Sequence, residues 1–158
     1  MVTYLNFACT TASSFWLEVC TPSHTRFFER PGRLTAIQAA WPTWHVHEWV
    51  WHERNPGQDT RNNRAYERFR DGLITGCAGL GWLRDVSDAS KHCGIGRTPR
   101  VDQVSGTGLH TTGEITDVFG MRPDTQADPL VLHVDGVPHA FDSVLRTAIV
   151  YWRTNYFA

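Results

Sequence analysis

The stretch WPTWHVHEWVWHERNPG, residues 41–57, places His45, Glu48 and His52 at spacings of three and four. On a helix turning about 100° per residue, these three share one face with Trp41 and Trp44. A carboxylate between two imidazoles can hold a transition metal or orient one imidazole as a general base. One helix supplies at most three ligands, so a metal centre in a bundle needs others from facing helices. The zincin pattern H-E-x-x-H is absent: His47 precedes Glu48, but His52 lies five residues after His47, not four. His47 falls away from the shared face and is expected in solvent. The same residues have a structural reading, in which the tryptophans fill a core while His and Glu satisfy one another.

A second cluster lies in RDVSDASKHCGIGR, residues 84–97. Asp85 and Asp88 are three apart, Asp88 and Lys91 three, and Asp88 and His92 four. Asp88 can therefore hydrogen-bond the His92 imidazole and favour its charged form. With Lys91 and Arg84 nearby, such a histidine could bind phosphate or do acid–base work on RNA. Cations at a helix C-terminus also stabilise the helix dipole, which accounts for Lys91 and His92 without any function. Cys93 is a poor nucleophile here, because a thiolate is disfavoured at the negative end of a helix.

These groups must be positioned by helices. The first is expected over about 10–30, with Phe15, Trp16, Val19, Phe27 and Phe28 inward and Pro22 interrupting or kinking it. The second covers about 34–54, with a kink near Pro42. The third covers about 61–75, with Tyr66, Phe69 and Leu73 inside and an arginine-rich outer face that also carries acids. The fourth covers about 79–93, with Leu80, Leu83, Val86, Ser87 and Ser90 on one side and Gly94 past its end. The period then shortens toward two. RVDQVSG and EITDVFGM alternate in part, and PLVLHVDGVPHAF reads as a hairpin around Asp135–Gly136, with Pro138 on an edge strand. His133 and His139 flank that turn and are expected to be exposed. A last helix over about 142–157 takes Asp142 or Ser143 as N-cap and buries Val144, Leu145, Ala148, Ile149 and Trp152. The expected fold is mainly α: a single-domain antiparallel helical bundle with a β-ribbon over about 100–140, inserted before the C-terminal helix.

Composition bounds the partners. The chain has 158 residues and a formal net charge of -1, with 20% charged and 41% hydrophobic residues. That argues against a basic nucleic-acid footprint over the whole surface and leaves room for a local patch. The four cysteines form no C-x-x-C pair, so a zinc knuckle is not expected and reduced thiols in a cytoplasmic protein are. No signal peptide or membrane span is legible. No Gly-rich phosphate loop follows a strand pattern, so no nucleotide cofactor is expected.

The motifs AAWPTWHVHEWVW, WLRDVSDASKH and HVDGVPHAFDSVLRTAIVYW resemble a group of short bacterial and phage-associated proteins without an established activity. Their shared pattern is an alanine-rich helix running into H-x-x-[DE]-W, a helix ending A-S-K-H, a hairpin and a final helix with a tryptophan. The likeness spans roughly residues 10–157 and is carried by His45, Glu48, Trp49, Ala89, Ser90, Lys91, His92 and Trp152, with Pro42 a departure. The chain also resembles HEPN domains, helical bundles that include metal-independent RNases of toxin and defence systems. Their arginine stands four to six residues before a histidine, whereas seven residues separate Arg84 from His92. This resemblance implies RNA as partner, in phage defence or stress, with His92 as acid/base, Arg84 and Lys91 on phosphate, Asp88 orienting His92, and His45 and Glu48 reaching the same cavity. Two alternatives stay open: a non-catalytic module or inhibitor that contacts a protein, and a metal-binding bundle using His45, Glu48 and His52.

Overall fold

The computed structural model describes residues 9–91, 99–106 and 129–157. Thr11 opens the first helix through a capping box: its hydroxyl accepts from the Ser14 amide at 3.0 Å, and the Ser14 hydroxyl accepts from the Thr11 amide at 3.0 Å. Helix α1 (Ala12–Phe15) continues without a break through a π-helical stretch, Trp16–Cys20, into α2 (Thr21–Glu29). Pro22 sits just past that wider turn. A proline has no amide to donate, and its ring presses on the carbonyl four residues back; the wider turn relieves both problems without ending the helix.

Helix α3 (Arg33–Arg54) contains Pro42 in its interior and stays helical across it. Three side chains serve the backbone around this proline. The Thr43 hydroxyl donates to the Ala39 carbonyl at 2.6 Å, the Cys20 thiol faces the Pro42 carbonyl at 3.5 Å, and the Trp152 indole N–H donates to the Thr43 carbonyl at 2.9 Å. The Thr43 hydrogen is committed to Ala39, so the His24 Nε2–H donates to the Thr43 oxygen at 2.6 Å.

Asn63 caps α4 (Arg64–Gly76), accepting from the amides of Ala65 and Tyr66. Cys77, in extended conformation, separates α4 from α5 (Ala78–Lys91). At Gly76 a Cβ would stand 2.7 Å from the Tyr151 hydroxyl, so any larger residue there would have to displace the Tyr151 ring. Strands β1 (Gln103–Ser105), β2 (Val131–Val134) and β3 (Val137–Ala140) form an antiparallel sheet in that order. Asp135 and Gly136 both have positive φ, 50° and 73°, as a type I′ hairpin turn requires, and Pro138 lies on the edge strand β3. Helix α6 (Phe141–Asn155) follows β3 directly.

The expected helical bundle with a β insertion before the last helix is therefore present. The core joins Phe15, Trp16, Phe27, Trp44, Leu80, Leu83, Leu132, Phe141, Leu145 and Trp152. Three local expectations are corrected, and one burial was not foreseen. Asp142 and Ser143 lie inside the first turn of α6; the preceding residue is Ala140, and the junction is held by the Phe141 amide donating to the Leu130 carbonyl and by burial of Phe141. His133 and His139 are half-buried, His133 bonding the Ser105 hydroxyl at 2.8 Å and His139 packing at a tilt against Trp82, with ring centroids 4.4 Å apart. Ser90 is exposed rather than inward. Asp85 is fully buried, where its Oδ2 accepts from the amides of Arg100 and Val101. EITDVFGM, Cys93, Gly94 and His110 lie outside the described residues.

Replacing Trp152 by Phe keeps most of the buried ring and removes the donor to the Thr43 carbonyl. Urea denaturation should show a loss of about 1–3 kcal/mol. Val150→Ala, on the exposed face of the same helix, should stay within about 0.5 kcal/mol of the parent. Equal losses for the two variants would refute the role of the indole N–H.

Candidate functional site

Helices α3 and α5 pack against one another, and their contact brings together three residues 46 positions apart or less. The Lys91 ammonium donates to His45 Nε2 at 2.8 Å, and His45 Nδ1 lies 3.1 Å from Glu48 Oε1. An ammonium can only donate, so Nε2 is the accepting nitrogen and the neutral ring carries its hydrogen on Nδ1, pointed at Glu48. The result is a directed line, carboxylate to imidazole to ammonium. The His45 side chain is 20% exposed and that of Glu48 46%. Burial alone would raise the Glu48 carboxyl; the hydrogen bond from His45 and the positive charge of Lys91 are among the effects that outweigh it and hold the group below its usual value.

Trp41 borders the trio. Lys91 Nζ stands 5.7 Å from the Trp41 ring centroid, and the Trp41 and His45 rings are 5.3 Å apart. Trp41 remains 39% exposed, whereas Trp44 and Trp51 on the same helix are buried.

Of the six residues expected at a site, His45, Glu48 and Lys91 meet. Arg84 is turned inward: its guanidinium lies 5.6 Å from the Trp44 ring centroid and its Nε 3.9 Å from Asp85 Oδ1, with only 11% of the side chain exposed. That position supports the α3–α5 packing beneath the trio, and it is not where a surface phosphate clamp would stand. Asp88 is half-buried, one turn before Lys91. His92 lies outside the described residues. Among the described residues no group of three or more His, Cys, Asp and Glu side chains is placed to hold a metal ion, so His45, Glu48 and His52 do not converge as ligands.

The expectation for His47 is overturned. It is 1% exposed and stacked flat on Tyr66, with ring centroids 5.7 Å apart. Its Nδ1–H donates to the Trp44 carbonyl, which leaves Nε2 to accept from the Tyr66 hydroxyl at 2.7 Å. Burial holds the His47 imidazole neutral, down to about 4, and pushes the Tyr66 hydroxyl up. The reason for the misreading is tertiary: a helical wheel shows which side His47 faces, and α4 decides that this side is covered. Tyr66 and Trp41 were not singled out as site residues. Tyr66 carries only a core signal at its helical spacing, and Trp41 differs from its neighbours in exposure, which composition does not record.

A groove of about 800 Å³ runs between the α4–α5 turn, β3 and α6, past Trp82, His139 and Tyr151. It holds none of the three paired acid–base residues. A groove of about 650 Å³ between α2 and α3 is walled by Trp41, next to the trio. Its lining includes none of the three either, but Trp41 on its wall touches both His45 and Lys91. Among the described residues no helix is long and apolar enough to cross a membrane.

Both His24 and His47 are depressed to about 4 in the folded chain by burial, against an ordinary value near 6.5. As pH falls below about 6.5 the unfolded chain takes up protons that the folded chain refuses until about pH 4, so stability is lost across that window. Denaturation midpoints at pH 7.5 and 5 should show the loss, and His47→Gln should flatten the slope. A midpoint independent of pH over this range would contradict the burial of both rings as neutral species.

Comparisons with protein-family models, curated proteins and solved structures found no match, so the chemistry of the site is read from its own geometry.

Proposed function

We propose that the chain binds RNA and cleaves it, with the Glu48–His45–Lys91 line acting on the phosphodiester. The observation that carries this reading is the 2.8 Å contact between Lys91 and His45, with the opposite ring nitrogen of His45 held on Glu48. Glu48 fixes the tautomer that leaves Nε2 basic, as a carboxylate does for a histidine general base. In the proposed step the Lys91 ammonium moves from His45 Nε2 to the phosphodiester, and the freed Nε2 takes the proton of a ribose 2′-hydroxyl. The 2′-oxygen bonds to phosphorus, the bond from phosphorus to the 5′-oxygen breaks, and Lys91 gives a proton to the leaving oxygen. The direct contact between the two side chains lets the proton pass from His45 back to Lys91, so both return to their starting forms. The Lys91 ammonium also faces the negative charge that develops on the phosphoryl oxygens.

A second reading, a non-catalytic module for a protein partner, is favoured by the α6 groove. Its lining includes Pro138, Val150 and Tyr151, and Val150 is 62% exposed.

With purified protein and a fluorescent single-stranded RNA in chelator, cleavage should yield 2′,3′-cyclic ends. His45→Ala should slow it about 10²-fold, as loss of a general base does, Lys91→Ala comparably and Glu48→Gln less, with unchanged melting temperatures. Parent-level cleavage by His45→Ala, or no cleavage by the parent protein, would discard the catalytic reading.

A further inference from the structure

We infer that the groove between α2 and α3 receives an unpaired nucleobase stacked on Trp41, so that the ligand is single-stranded RNA; the inference rests on the proposed function and names the ligand class of the same site. Of the four tryptophans on α3, Trp44 and Trp51 are in the core, Trp49 is half-buried against Phe15, and Trp41 is left 39% exposed. Its indole forms one wall of the 650 Å³ groove, a volume within the range of small-ligand sites and ample for one nucleotide. The edge-on contact with Phe15, at 6.5 Å between centroids, the tilted approach of His45 and the Lys91 ammonium hold the ring in place. An exposed, oriented indole beside a cation is what a stacking platform needs, because every base offers a π-face and the phosphate beside it needs positive charge.

The groove supplies that charge and little else that is ionic. Arg26, on α2, is the charged side chain among the described residues that line it, with Val19, Ser23, Ile37 and Gln38 among the others. Lys91 stands over Trp41 from α5. A base laid on the open part of Trp41 would have positive charge near its flanking phosphates, from Arg26 in the groove and from Lys91 at the indole. Gln38 precedes Trp41 by three residues, so it stands on the same face of α3 and offers an amide to the edge of the base. A duplex cannot enter in this way, because its bases are already stacked on their neighbours and no base face is open to the indole.

The experiment is fluorescence anisotropy of an eight-nucleotide RNA, alone and annealed to its complement, with the full chain. Single-stranded RNA should bind at least tenfold more tightly than the duplex. Trp41→Ala should weaken single-strand binding by roughly tenfold, Trp41→Phe should recover most of it, and Arg26→Ala should weaken it and lessen its dependence on salt. Trp41 is exposed, and melting curves of both Trp41 variants check that the fold persists. Equal affinity for duplex and single strand, parent-like binding by Trp41→Ala, or no binding of either RNA overturns the inference. Tight single-strand binding through Trp41 without any cleavage upholds the platform and removes the catalytic role of His45, so the two failures are told apart.

Discussion

The indole N–H of Trp152 donates to the carbonyl of Thr43, and much of the molecule is arranged around that buried bond. It joins the last helix to the middle of α3, at the point where Pro42 deprives the helix of a donor. A proline in a helix interior costs roughly 3 kcal/mol or more unless its surroundings compensate. Around it, polar groups from three helices bond the neighbouring residues: the Thr43 hydroxyl reaches the Ala39 carbonyl, the Cys20 thiol the Pro42 carbonyl, His24 the Thr43 hydroxyl and Trp152 the Thr43 carbonyl. Each partner is buried, so each must be matched, since an unpaired polar group in a core carries a penalty of about 1–3 kcal/mol. These bonds tie the first and last helices to the middle of α3.

That docking sets up the difference between two histidines two residues apart. His47 points into the layer closed by α4, loses water and is held neutral between a carbonyl and a tyrosine hydroxyl. His45 points toward the end of α5, keeps partial access to solvent and lies between a carboxylate and an ammonium. The buried ring is shut off from solvent, and the other keeps partial access to it. Arg84 and Asp85 fill the α3–α5 interface under Trp44, and Asp85 also secures the backbone at Arg100 and Val101.

Helix content, the hairpin turn and the inward stripe of α6 were legible because they depend on local rules. Asp135–Gly136 can take two positive φ angles in succession, and Val144, Leu145, Ala148 and Trp152 recur at helical spacing. The pairing of His45 with Glu48 was legible for the same reason, being a contact between positions three apart on one helix. The start of α6 was not: its cap is replaced by a backbone bond to Leu130, which depends on where β2 lies. Nor was the burial of His47, Asp85 and His24, because each is covered or bonded by a segment distant in the chain.

The amino-acid sequence by itself determined the order of elements and which side chains share a helix face, since both follow from the helical and strand periods and from turn chemistry over a few residues. Only the tertiary structure decided which of those faces meet. It brought Lys91 onto His45 across 46 residues, turned Arg84 inward and left Trp41 at the rim of a groove. The physical reason is that a hydrogen bond or a stacked ring needs its partner within a few ångströms. Helix packing, not spacing along the chain, places residues of different elements at that distance.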